Sequence, residues 1–413
     1  MPRTKTTVRG RAPLARDGQQ WMLDYLIQET GKVFHFQGEG RGRLPRGVRS
    51  HDMISKHLGL QARRMEGLAR AEAAAGHGET ALDFYFQATV LYAGAQHVIF
   101  ENNDEKRYLY AGVRRCYEQV TALAPYRIEH LDIPWQGTFV SGNLHLCPGR
   151  VKAPLVFYIP GCDTLKEAWP HPFFNAAHQR GLHVFSFDGP GHAESNLRSI
   201  RLTADNFEDA ASAALDYLVQ RPEIDAGRIG VYSISLGSFW GLRFAAHDRR
   251  IAAIAAPAAS CADKYFLMDL ESPRWKQLFA YLTQSKTEAE LDAVMGAMTL
   301  EGYMDRIACP ALLAVGEYDP RGPLDEVYRV FDQLKAPGEL WVFADQHHMP
   351  SIGGGDSGTN NWAAPLHGAM CDWLRDRLAA QPLRHPGQVV YVEATGAGPN
   401  SASVTLKRKW YES

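Results

Sequence analysis

The run Arg228-Ile229-Gly230-Val231-Tyr232-Ser233-Ile234-Ser235-Leu236-Gly237-Ser238-Phe239-Trp240-Gly241 constrains the fold more than any other stretch of this chain. Residues 229–232 read as a short buried strand and those after Leu236 as a helix, so the backbone must turn sharply around Ser235. Only small neighbours allow such a turn. Gly237 stands two positions after Ser235 and Ser233 two before it, which makes the motif Ser-x-Ser-x-Gly where glycine is usual at the first place. A strand that turns abruptly into a helix leaves the serine hydroxyl exposed to a base, with backbone N–H groups beside it. That is what a weak nucleophile needs. A serine-rich turn without chemistry is the competing reading, and the strand–turn–helix context argues against it.

The elbow sits in a regular alternation. Apolar strands are expected at 155–159, 184–187, 229–232, 251–256, 311–315 and 340–343, with helices near 173–179 and 204–219. Strands alternating with helices imply βαβ units, hence an α/β fold with a mostly parallel sheet covered on both faces. Two short strands, 126–133 and 137–146, precede it. Between 19 and 123 the apolar spacing is helical throughout, most clearly at 80–97. A helical insert at 263–305, rich in Leu, Met and aromatics, is expected to lie over the strand ends as a lid. The organisation that follows is an amino-terminal helical segment, 1–125, a catalytic domain, 126–380, and a carboxyl-terminal β-hairpin arm, 381–413.

Composition excludes several classes of function. A formal net charge of −2 offers no electrostatic footprint for nucleic acid or an anionic membrane surface. No run approaches the roughly 18 apolar residues of a membrane span. The basic amino terminus, Met1 to Arg11, is followed by no apolar signal region, so a cytoplasmic protein is expected. Six cysteines without a C-x-x-C pair suggest neither a zinc site nor a disulfide framework. The Gly-rich Asp188-Gly189-Pro190-Gly191-His192-Ala193-Glu194-Ser195 lacks nucleotide-binding spacing, and no cofactor or metal is expected.

A serine nucleophile requires a base, and the base an orienting carboxylate. Asp319, just past the 311–315 strand, stands where loops at the carboxyl edge of an α/β sheet carry functional groups, with Glu317 as its competitor. The base is His348 or its neighbour His347; the spacing to Asp319 favours His348, allowing one helix, one strand and a short loop. Backbone N–H groups of Leu236 and Cys162 are the expected oxyanion donors. Cys162 as a nucleophile is the rival idea, but it lacks a histidine nearby in sequence. Aromatic residues Tyr265 and Trp275 of the insert, with Tyr85 and Phe86 of the helical segment, are candidates for the substrate pocket.

Asp188-Gly189-Pro190-Gly191, the serine elbow, Gly316-x-x-Asp319 and the late histidine together resemble the α/β-hydrolase superfamily over about 131–378. The helical first third and Gly161-Cys162-Asp163-Thr164-Leu165-Lys166-Glu167 are similar to the branch of 2,6-dihydroxypseudooxynicotine hydrolase and the fungal polyketide-shortening hydrolases of pigment biosynthesis. The resemblance implies a Ser235–Asp319–His348 triad, a small-molecule substrate enclosed partly by the helical segment, and a homodimer. It also implies cleavage of a carbon–carbon bond beside a ketone, or of an ester or amide. Ser233 at the elbow glycine and the carboxyl-terminal hairpin depart from that pattern. A binding protein that kept the fold without the chemistry, and a lyase or cyclase using no acyl enzyme, are the readings from other classes.

Overall fold

The computed structural model describes residues 48, 50–261, 263–271, 273–344, 346–348, 364–392 and 404–405. The basic arm, the helical pattern between 19 and 47 and most of the carboxyl-terminal stretch after 392 lie outside the described residues. Among the described residues three helices come first: α1 (Asp52–Ala74), α2 (Gly78–His97) and α3 (Asp104–Leu123). α3 begins where Asn103 accepts the Lys106 N–H and Asp104 and Glu105 complement the helix dipole. Its buried residues Lys106, Leu109, Tyr110, Val113, Cys116, Tyr117 and Val120 recur at helical spacing and pack on the first two helices.

A ten-stranded sheet follows: β1 (Ile128–Trp135), β2 (Thr138–His145), β3 (Ala153–Ile159), β4 (His183–Asp188), β5 (Ile224–Ser233), β6 (Ile251–Pro257), β7 (Ala311–Gly316), β8 (Gly338–Phe343), β9 (Gln388–Val392) and β10 (Val404–Thr405). Its spatial order is β1-β2-β4-β3-β5-β6-β7-β8-β9-β10. Strands β3 to β9 run parallel; the β1–β2, β2–β4 and β9–β10 pairs are antiparallel. Every residue of β4 and β7 is buried, as expected of strands covered on both faces. One face packs on α4 (Ala193–Leu197), α5 (Asn206–Leu218) and α6 (Leu236–His247), where Phe207 stacks on Trp240. α7 (Pro273–Thr283) and α8 (Glu288–Ala297) lie between β6 and β7, α9 (Leu324–Phe331) follows β7, and α10 (Ala364–Leu378) covers the other face through Leu366, Met370 and Leu374.

One expectation is corrected. The helix near 173–179 is only a 3-10 turn at His178–Arg180. The Asn175 side chain accepts the N–H groups of Ala177 and His178, competing with helical hydrogen bonds. The carboxyl-terminal hairpin pairs β9 with β10 and docks on the body. Its first strand, β9, runs parallel to β8 over Glu339↔Gln388 to Phe343↔Val392 and so belongs to the central sheet.

The insert between β6 and β7 opens with a π-turn, Tyr265–Asp269, and continues into α7 and α8. It lies against the helical layer: Tyr281 Oη donates to Asn102 Oδ1 at 2.8 Å and Arg274 Nη2 to the Val98 carbonyl at 3.1 Å. All six cysteines are buried. Among the described residues no helix is long and apolar enough to cross a membrane, and no group of side chains is arranged to hold a metal ion.

His192, in the turn after β4, is fully buried with neither ring nitrogen hydrogen-bonded among the described residues. Burial lowers its pKa to about 4. The unfolded chain takes up this proton near pH 6.5 and the folded one only near 4, so stability is complete above 6.5 and falls as the pH drops. Replacing His192 by leucine removes that dependence. The gain in unfolding free energy should be about 2 kcal/mol greater at pH 5 than at pH 7.5, measured by urea titration; an equal effect at both pH values would refute a ring held neutral.

Candidate active site

Ser235 stands between β5 and α6 with φ 58° and ψ −130°, a conformation strained for a residue with a side chain. Crowding from both sides imposes the turn. A Cβ on Gly237 would lie 2.4 Å from the carbonyl oxygens of both Ile159 and Pro160. The Ile234 N–H reaches the Ile159 carbonyl at 3.1 Å and the Ser235 N–H the Pro257 carbonyl at 3.2 Å, so β3 and β6 clamp the elbow. Ser238 Oγ then donates to the Ser235 carbonyl at 2.6 Å.

The unusual Ser233 is accommodated by a second glycine. A Cβ on Gly241, on the facing turn of α6, would sit 2.3 Å from Ser233 Oγ and 2.6 Å from Ser233 Cβ. The hydroxymethyl group occupies space that Gly241 leaves free. Gly241→Ala should therefore destabilise the fold by about 1–3 kcal/mol through overpacking, and Ser233→Gly in the same chain should recover most of that loss. Additive losses in thermal melts of the double variant would show that the two positions do not compete for one volume.

Gly316, which ends β7, brings the next part together. A Cβ there would fall 2.0 Å from the His347 carbonyl oxygen, so the backbone after β8 can cross directly over it. The Tyr318 N–H holds that crossing segment through the Gln346 carbonyl at 2.9 Å. The crossing places His348 Nε2 2.7 Å from Ser235 Oγ and His348 Nδ1 2.8 Å from Asp319 Oδ2. Both His348 and Asp319 are buried. His347 is exposed and meets the ring of Tyr318, while the half-buried Glu317 gives its backbone N–H to the Phe343 carbonyl. Asp319 Oδ1 accepts the Arg321 N–H at 2.8 Å; Arg321 in turn donates to Glu271 at 3.0 Å and lies over Trp275. Burial, reinforced by the Asp319 charge, pushes the Cys261 thiol up to about 12, so this neighbouring cysteine stays protonated.

The loop after β3 carries Cys162, whose side chain is buried. Its approach to the elbow is close: a Cβ on Gly161 would lie 3.1 Å from Ser235 Cβ and 3.0 Å from Asp163 Oδ1. Leu236 opens α6, where the first N–H groups of a helix have no acceptor within it. The four aromatic candidates are scattered. Tyr265 is half exposed on the π-turn, Trp275 is buried behind Arg321, and Tyr85 and Phe86 are buried in the helical layer, Phe86 against His171.

One group of residues was not foreseen. Lys166, four residues after Cys162, is fully buried among Asp188, Glu167, Glu194 and Tyr110. Lys166, Glu167, Asp188 and Glu194 stand in the two stretches 161–167 and 188–195, but nothing local in sequence shows that they meet.

The FrsA-like esterase family matches residues 62–271, and the prolyl oligopeptidase family matches residues 177–379. A 2,6-dihydropseudooxynicotine hydrolase of Paenarthrobacter nicotinovorans is 27% identical over 322 residues, covering 77% of this chain and 83% of that protein. A 20-hydroxy-prefusarin hydrolase of Gibberella moniliformis is 24% identical over 378 residues, covering 77% and 86%. The crystal structure of a 2,6-dihydroxy-pseudo-oxynicotine hydrolase superposes with a TM-score of 0.69 at 26% identity, over 87% of this chain and 97% of that one.

Proposed function

The chain belongs to the FrsA-like esterase family and is a hydrolase of the α/β-hydrolase fold, and from that premise we propose that it cleaves a bond beside a carbonyl group through an acyl enzyme on Ser235. The observation that carries this reading is the continuous hydrogen-bonded chain from Ser235 Oγ through His348 to Asp319. Ser235 Oγ attacks the carbonyl carbon while His348 Nε2 takes its proton, and Asp319 stabilises the imidazolium. The N–H groups of Leu236 and Cys162 receive the oxyanion. Collapse expels the leaving group with the proton held by His348. Water then attacks the acyl carbon, giving its proton to His348, and releases the carboxylic acid and free Ser235.

The substrate in this reading is an aromatic or polyketide-like ketone, so that the broken bond is carbon–carbon. Relatives named for a pseudooxynicotine and for 20-hydroxy-prefusarin support it. Such cleavage requires a leaving carbanion that is stabilised or protonated as it forms. A second reading, an esterase or amidase, is favoured by the esterase family that matches the chain. Turnover of aryl 1,3-diketones, aryl esters and anilides, with mass detection of both fragments, separates them. Diketone cleavage is expected to dominate; selective ester or anilide turnover would replace the first reading with the second.

A further inference from the structure

The buried group around Lys166 lies where the loop after β3, the end of β4, α4 and the helical layer meet. Lys166 Nζ is 3.0 Å from Asp188 Oδ2, 2.9 Å from Glu194 Oε2, 2.9 Å from Glu167 Oε1 and 3.1 Å from Tyr110 Oη. Its backbone N–H donates to Asp188 Oδ1 at 2.9 Å. Lys166 and Asp188 are wholly inaccessible to solvent, and Glu167 and Glu194 nearly so. One ammonium thus binds β4 through Asp188, α4 through Glu194 and the helical layer through Tyr110, while its own main chain continues the Gly161–Cys162 loop.

Stability does not account for such an arrangement. Desolvating several charges roughly cancels their attraction, and apolar residues of equal volume often serve as well. What a fully hydrogen-bonded ion supplies is direction, because each partner must stay within about 3 Å along a fixed vector. The loop it anchors needs that, since residues 161–168 form only turns, with hydrogen bonds from Thr164 N–H to Gly161 and from Ala168 N–H to Leu165. A second polar junction repeats the design nearby: Asn196 of α4 donates to the Gly191 and Tyr281 carbonyls and accepts from Asn102 of the helical side.

We propose that Lys166 is a positioning residue for the reaction: its buried junction with Tyr110, Asp188 and Glu194 sets the Cys162 N–H of the oxyanion loop and makes the helical layer part of the machinery that fixes it. The inference rests on the acyl-enzyme reading above. An oxyanion donor contributes only when charge develops on the carbonyl oxygen, so its displacement lowers kcat and leaves KM nearly unchanged. Covering the pocket is a different role and would appear in KM.

The experiment compares wild type, Lys166→Met and Tyr110→Phe on one aryl ester, measuring kcat, KM and the rate at which a fluorophosphonate labels Ser235. Thermal melts establish folding. Lys166→Met is expected to lower kcat about 100-fold and Tyr110→Phe several-fold, with KM within about threefold and labelling slowed in parallel. Tyr110→Phe removes a single hydroxyl and decides the matter if Lys166→Met does not fold. Unchanged kcat in a folded variant, or a change in KM alone, overturns the proposal. A wild-type protein that fluorophosphonate does not label would instead overturn the acyl-enzyme reading itself.

Discussion

Ser235→Ala is expected to lower kcat/KM by roughly 10⁴–10⁶-fold on whichever substrate the wild type turns over, with folding intact. The size follows from geometry. Ser235 Oγ is 2.7 Å from His348 Nε2, so removing it deletes the one hydroxyl that the base is placed to activate. The backbone that forms the elbow is held by Ile159, Pro257 and the close approach of Gly237, none of which involves the serine side chain. The variant should therefore melt within a few degrees of wild type. Steady-state kinetics with fluorophosphonate labelling and mass analysis checks this: the label should sit on Ser235 in wild type and be absent from the variant. Equal turnover by both proteins would remove Ser235 from the chemistry and favour a lyase or cyclase.

Asp319→Asn is the second large effect, a loss of about 10³–10⁴-fold in kcat with little change in KM. Both carboxylate oxygens lie within reach of His348 Nδ1, at 3.0 and 2.8 Å, and the side chain is buried. An amide keeps the shape but can present its NH₂ group to Nδ1, turning the imidazole into the wrong tautomer. It also supplies no charge to offset the imidazolium that forms as Ser235 attacks. In a site shielded from water that charge matters more than at a surface. Glu317→Gln is the control, since Glu317 is the nearest alternative carboxylate along the chain. It should leave kcat within about twofold. A variant Asp319→Asn retaining more than a tenth of wild-type kcat would move the role of the acid elsewhere.

Much of this arrangement can be read along the chain before any coordinates, because it depends on neighbours in sequence. Gly237 two places after Ser235 announces a turn that no larger residue could make. The alternation of apolar strands with helices from 155 to 343 announces a parallel sheet, and the order of Ser235, Asp319 and His348 follows the strand ends. These signals are local in their physics: side-chain size, hydrophobic period, and the tendency of strand termini to carry exposed loops.

The tertiary structure decided everything that depends on residues distant in sequence meeting in space. His348 meets Ser235, 113 residues away, where the backbone of 346–347 crosses directly over Gly316. The tolerance of Ser233 depends on Gly241 across the turn. Lys166 meets Tyr110 across 56 residues. A charged side chain reads as exposed from sequence alone, because burying it is unfavourable until several distant partners converge on it, and that convergence exists only in the folded chain.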